Sequence, residues 1–187
     1  MFCIRYWPCK GILNWYKMRK GNWVIAGPES SGKTSLWESL GNIFNTAQLI
    51  PEANRIWLTE NHITPPYSPD QLTSIFEHSQ QQFDLAPSLG FNLWDTDELN
   101  LLIWSQWENH PMQHHWMKRF LDNDHRYILC PPNIPWESDP LRQGAESRDA
   151  LFREHLQLLA HKKFYLLESD QLEDRIQEAL FIIDHLG

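Results

Sequence analysis

Eight consecutive residues, Gly27-Pro28-Glu29-Ser30-Ser31-Gly32-Lys33-Thr34, follow the pattern G-x-x-x-x-G-K-[ST]. Each position has a chemical reason. Gly27 and Gly32 allow backbone turns that residues with a Cβ avoid. The N–H groups of the loop then converge inward, and the helix that follows adds positive potential at its N-terminus. Such a cradle holds the phosphates of a nucleoside triphosphate. Lys33 brings a point charge to the outer phosphates, the hydroxyl of Thr34 suits Mg2+, and Ser35 extends the cradle into the helix.

Phosphoryl transfer also needs carboxylates. Asp95 ends the apolar run Phe91-Asn92-Leu93-Trp94, the position from which a carboxylate holds Mg2+ directly or through water. Asp97 could serve instead, and either aspartate could cap the next helix. Glu52 stands three residues before Arg55, so the two share one face of a helical turn. A carboxylate there can accept a hydrogen bond from a substrate hydroxyl or take its proton. A plainer reading is a surface ion pair worth little. Glu52 and Asp95 are both candidates for the base. The segment Asn133–Asp149, stiffened by Pro135-Trp136 and Asp139-Pro140, reads as a lid. Its Arg142 and Arg148 can close over the charge that spreads onto a transferring phosphoryl group. The competing reading is a solvated loop with ordinary charges.

These residues need a scaffold. Trp23–Ala26 reads as a buried strand, and Leu36, Leu40, Ile43 and Phe44 as one face of the next helix. Ala47–Ile50, Phe91–Trp94, Tyr127–Cys130 and Phe164–Leu167 are further strand candidates. Residues Pro65–Pro69 form a proline-punctuated loop, and Asp70 is the expected N-cap of a helix carrying Leu72, Ile75, Phe76 and Phe83. Further helices are expected near Glu98–Trp107, Met112–Leu121 and Ala150–Ala160. A last one starts at a capping-box-like Asp170…Glu173 and buries Leu172, Ile176, Leu180 and Ile183. Strands alternating with helices imply an α/β fold: a parallel sheet of about five strands with helices on both faces and ligands at the strands' carboxyl ends.

Composition narrows the class. The chain has 187 residues and a net charge of −8. Residues 1–20 carry five basic residues and no acid, so the remainder sums to −13. That balance argues against a nucleic-acid partner. No apolar run approaches a membrane span. Three cysteines cannot form a secreted disulfide framework, so the expected compartment is the cytoplasm. Residues 1–20 read as a basic aromatic extension outside the fold, or as sequence upstream of a true start at Met18, and residues 21–187 as one domain. His110, His114 and His115 lack metal-ligand spacing.

The order and spacing of Gly27–Thr34, Glu52-x-x-Arg55, Asp95-Thr96-Asp97 and Pro135-Trp136-x-x-Asp139-x-x-Arg142 resemble the NadR-type nicotinamide riboside kinase domains and the AAA-type P-loop ATPase domains related to them. The resemblance runs from about Asn22 to Gly187. It implies transfer of the γ-phosphate of ATP to the 5′-hydroxyl of nicotinamide riboside, with ATP and Mg2+ as cofactors. It places Lys33, Glu52, Asp95, Arg142 and Arg148 in catalysis, and Glu52, Arg55, Asp97, Trp136 and Asp139 at the acceptor. Ala53 and Ile56 depart from the family, which usually has a tyrosine and an acid there. No H-x-G-H nucleotidyl motif is present, so a stand-alone kinase is expected.

The acidic, aromatic stretch with Trp57, Tyr67, Trp94, Trp104 and Trp107 suits a pyridinium cation, although tryptophans at helical spacing more often build core. Two other readings stand beside this one. The acceptor could be another nucleoside or metabolite; with Arg55 as the one base in this stretch, a monophosphate is disfavoured. Alternatively, the chain is a regulatory ATP- or GTP-binding switch without a small-molecule acceptor.

Overall fold

The computed structural model describes residues 19–64, 66–86, 90–107, 109, 114–137 and 147–186. Five strands, β1 (Gly21–Ala26), β2 (Gln48–Ile50), β3 (Phe91–Asp95), β4 (Arg126–Leu129) and β5 (Lys163–Leu166), form one sheet in the order β2-β3-β1-β4-β5. All pairings are parallel: Ile25 sits opposite Asp95 and Ile50 opposite Trp94, while Ala26 sits opposite Leu129 and Leu129 opposite Leu166. The carboxyl ends therefore share one edge, with β1 central.

Side chains alternate across the pleat and feed two cores. Val24, Ala26, Trp94, Tyr127 and Leu129 face one way. On that face lie α2 (Ala53–Glu60), α3 (Pro69–Leu85), α4 (Glu98–Trp107), α5 (His114–Asp122) and α6 (Arg148–Leu159). Trp23, Ile25, Leu93 and Ile128 face the other way, under α1 (Lys33–Ile43) and α7 (Leu172–His185). This is the expected fold: a parallel α/β sheet covered on both sides, which explains why its strands read as continuous apolar runs. No helix among the described residues is long and apolar enough to cross a membrane.

Local details differ from the sequence reading. The cap of α3 is Ser68, not Asp70. Ser68 and Gln71 form a reciprocal capping box with Pro69 at the first helical position, and Asp70 lies in the first turn. The cap of α7 is Gln171, without a side-chain bond, so Asp170 and Glu173 form no capping box. The buried stripe of α7 is rotated: Arg175, Ala179, Ile182 and Ile183 are buried, while Leu172, Ile176 and Leu180 pack at its margin. Ile43, expected in the core, is exposed at the end of α1. The helix α2 was not among the expected elements. Its eight residues are short for a periodicity signal, and it rests on α3 through Ser79, whose hydroxyl donates to Asn54 Oδ1 at 2.6 Å.

Candidate active site

The phosphate loop joins β1 to α1, as the motif requires. Gly27 has φ +146°, and a Cβ there would stand 2.4 Å from the carbonyl oxygen of Cys130. No side chain fits, because β4 passes directly behind the loop. Gly32 has φ +77° and caps α1 in the left-handed conformation. Ser30 also has positive φ, +52°, a costly conformation for a residue with a Cβ. Loop bonds offset that cost. Ser31 Oγ and Lys33 Nζ both donate to Pro28 O, at 2.8 and 2.7 Å. Lys33 is buried, so its ammonium lies within the loop rather than in solvent.

Two arginines that begin or line later helices grip the same loop. Arg148, the first residue of α6, donates from Nη2 to Ser30 O at 2.9 Å and to Ile134 O at 3.0 Å. Its guanidinium lies 5.7 Å from the centre of the Trp136 ring. Burial lowers its pKa from the ordinary arginine value. The backbone N–H of Glu137 donates to Ser30 Oγ at 2.8 Å. Both described ends of the expected lid thus meet the loop. Arg142 and Asp139 lie outside the described residues. Arg175 of α7 is buried and was not foreseen as a site residue. It donates to Ser31 O at 2.5 Å, Ser169 O at 2.8 Å and Pro131 O at 3.2 Å, and bonds Asn133 Oδ1. The signal for it is a cation at a core position of a helix: Arg175 precedes Ala179 by four residues and Ile182 by seven.

Asp95 closes β3 at the loop. Thr34 Oγ1 donates to Asp95 Oδ2 at 2.8 Å. A hydroxyl and a carboxylate oxygen side by side form a hard-oxygen pair of the kind Mg2+ takes. The donor set fits a magnesium–nucleotide complex. Thr96, which follows, adopts φ +63°, rare for a β-branched residue. That turn separates the two aspartates. Asp97 is not brought to the loop. It is buried, and accepts from Leu99 N at 3.0 Å, His125 Nδ1 at 2.9 Å and Tyr127 OH at 2.7 Å.

Glu52 caps α2 two residues beyond β2, on the same sheet edge as Gly27 and Asp95. Its buried carboxylate meets Arg55 Nε at 3.4 Å, and the Arg55 side chain is 41% exposed. Of the aromatic residues expected at the acceptor, Trp94 is core, with its indole N–H donated to Asn22 Oδ1. Tyr67 stacks on Trp104 with centroids 5.6 Å apart, and Trp107 is exposed. Cys130 is fully buried, and burial pushes its thiol up to about 11. It is inert packing. A second residue missed by sequence is His155, buried on α6 between Leu151 and Leu159. Its Nδ1 meets Leu151 O at 2.8 Å, and burial pushes its pKa down to about 4.

The family model described as AAA domain matches residues 22–175. Among solved structures the chain is similar to NadR protein in complex with NR, with TM-score 0.70 and 17% identity over 88% of this chain and 50% of that one. It is similar to thymidylate kinase from Ehrlichia chaffeensis, with TM-score 0.62 and 12% identity over 86% of this chain and 97% of that one. Shikimate kinase from Acinetobacter baumannii in complex with shikimate gives TM-score 0.55 and 14% identity, over 87% and 92% of the two chains. At these identities the shared property is the fold of P-loop kinases. The chain spans about half the length of the NadR structures it matches. No curated protein matches it by sequence.

Proposed function

The chain belongs to the AAA domain family, and on that premise we propose that it is an ATP-dependent small-molecule kinase whose acceptor is the 5′-hydroxyl of nicotinamide riboside. The observation that carries the phosphotransferase reading is the Thr34–Asp95 contact of 2.8 Å beneath a loop gripped by Arg148 and Arg175. The acceptor assignment is supported by Glu52-x-x-Arg55 on the same edge and by similarity to NadR structures, one a complex with NR and one with NAD and AMP-PNP.

In this reading the loop N–H groups of Gly27 and Glu29–Ser35, with the Lys33 ammonium, hold the β- and γ-phosphates of ATP. Lys33 leaves Pro28 O to reach them. Thr34 and Asp95 would hold Mg2+, which neutralises phosphate charge when bound. Glu52 accepts a hydrogen bond from the acceptor hydroxyl and takes its proton as that oxygen bonds to the γ-phosphorus; Asp95 is the other candidate base. The bond from the γ-phosphorus to the bridging oxygen breaks, and ADP leaves. Arg142 and Arg148 balance charge on the transferring group, while Arg55, Trp136, Asp139 and Asp97 shape or support the acceptor side. Most of the rate gain comes from positioning and preorganised charge.

A second acceptor class is favoured by Ala53 and Ile56, which replace the tyrosine and acid usual in the resembling family. The test is ADP release from ATP and Mg2+ with nicotinamide riboside, uridine, cytidine, thymidine, nicotinamide mononucleotide or no acceptor. Release dependent on nicotinamide riboside is expected. Release with a different acceptor keeps the kinase and replaces its substrate. Release independent of every acceptor overturns the kinase reading in favour of a nucleotide switch. Lys33→Ala should lower transfer by about 10³-fold with an unchanged circular dichroism spectrum; full activity in that variant refutes the mechanism.

A further inference from the structure

The second aspartate of Asp95-Thr96-Asp97 belongs to a different constellation. Behind it, Glu98 is almost fully buried, with a side-chain exposure of 1%. Its Oε1 accepts from Asn123 Nδ2 at 3.0 Å, while Oε2 has no hydrogen-bond partner among the described residues. Glu98 and His125 line a cavity of about 670 Å³ between α3 and α5 that also touches Trp94, Asn123 and Arg119. Asp97, Glu98 and His125 each offer one ligand atom, and the three atoms lie within 4.8 Å of one another.

We propose that Asp97, Glu98 and His125 form a second divalent-cation site, separate from Thr34 and Asp95, of the nitrogen–oxygen type that takes Zn2+, Co2+ or Mn2+. Lone pairs support it. His125 Nδ1 lies 2.9 Å from Asp97 Oδ2; with the ring proton on Nε2, the Nδ1 lone pair and the carboxylate face one point, and a cation there takes the place of the hydrogen bond. Asp97 Oδ1 accepts one hydrogen bond, from Leu99 N, and so keeps a second lone pair. Glu98 Oε2 has given up water without gaining a partner, an arrangement that a bound cation relieves.

Nearby cations do not replace a metal. Arg119 stands 3.9 Å from Glu98 Oε1, but its Nη2 is bonded to Asp84 at 3.1 Å and its guanidinium lies over the Phe83 ring. An imidazole in the donor set favours a transition-series ion over Mg2+ or Ca2+. Three protein ligands leave coordination positions open, as in sites where a metal also holds water or an outside ligand, and Glu98 and His125 both line the cavity.

The test uses the full chain carrying Asp95→Asn, which removes the carboxylate of the phosphate-loop site. After chelator treatment it is dialysed against Co2+ or Zn2+. Bound metal is counted by mass spectrometry, and the Co2+ absorption spectrum reports nitrogen–oxygen coordination. One ion per chain is expected, with a Co2+-dependent rise in melting temperature. Glu98→Gln and His125→Gln should each weaken binding by about tenfold or more, whereas His161→Gln, an exposed control, should not. Should Glu98→Gln fail to fold, His125→Gln alone decides. Absence of a bound ion, or equal binding in His125→Gln and the control, overturns the site and leaves Glu98 holding a proton.

Discussion

Two carboxylates on the same sheet edge are held in unlike ways. Asp95 ends a central strand with Ile25 directly beside it, and it meets a loop pinned by backbone contacts from three directions. Arg148 holds Ser30 O, Arg175 holds Ser31 O, and Cys130 O leaves no room for a Cβ at Gly27. Glu52 caps a helix of eight residues beyond the edge strand β2, beside a half-exposed arginine. On the proposed reading, the phosphate side is fixed by the sheet and by two buried cations. The proposed acceptor side rests on a pair of helices and on an ion pair between the buried Glu52 and the part-exposed Arg55. A nucleoside triphosphate is the same whatever the acceptor and favours a rigid cradle. An acceptor differs between enzymes, and its pocket stands on elements that can shift without disturbing the sheet.

The largest effect that can break this division is at Glu52. If the acceptor side carries the base, Glu52→Gln lowers kcat by about 10²–10⁴-fold and leaves the KM for ATP unchanged. Unaltered kcat in that variant would move the base to Asp95 and place both functions on the rigid side. The measurement is steady-state kinetics with ATP and acceptor varied separately.

Next is Arg175→Ala. It leaves the Ser31, Pro131 and Ser169 carbonyls without their shared donor, at about 3 kcal/mol in total. For a chain of this size that lowers the melting temperature by roughly 6–12 °C. If Arg175 positions the loop, the KM for ATP rises while the KM for the acceptor holds. A lower melting temperature with both constants unchanged would leave Arg175 a merely structural residue.

The same contrast explains what could be read from sequence. Gly27–Thr34 was legible because a cradle for phosphate is made from backbone, and only glycine at fixed positions permits it. Asp95 was legible because a strand ending in a carboxylate is a local pattern. Arg175 and His155 were not. Each sits on the apolar stripe of its helix, and what it touches comes from segments far away: Ser31 for Arg175, and Asn100 Oδ1 for His155. The surroundings of Asp97 were hidden for the opposite reason. Its spacing from Asp95 suggests a shared role, and the left-handed turn at Thr96 that separates them leaves no mark in composition. The Ser68 cap lay hidden inside a loop defined by its prolines.

His155 makes the phosphate side sensitive to acid. Its ring is buried between α6 and the loop, Nδ1 donates to Leu151 O, and burial, with the charge of Lys33 acting in the same direction, pushes its pKa down to about 4. In the unfolded chain the same group titrates near 6.5. Between those values the unfolded state binds a proton that the native state refuses, so stability falls as pH falls. The loss is about 1.4 kcal/mol per unit and approaches about 3 kcal/mol at pH 4. Urea unfolding across this window should show a shallower dependence in His155→Gln than in the parent. Equal slopes would mean that the ring is neutral for no energetic reason.

The smallest effect is expected at Arg55, and it sharpens the comparison most finely. At 41% side-chain exposure and 3.4 Å from Glu52, its ion pair is worth at most about 1 kcal/mol to stability, so Arg55→Ala should shift the melting temperature by no more than about 4 °C. If Arg55 also orients Glu52 toward the acceptor, the same substitution raises the acceptor KM several-fold with the KM for ATP unchanged, and Arg55→Lys recovers little of it, because an ammonium lacks the planar fork that meets a carboxylate edge. A variant indistinguishable from the parent in both constants would reduce the pair to surface charge and leave Glu52 positioned by its place at the start of α2.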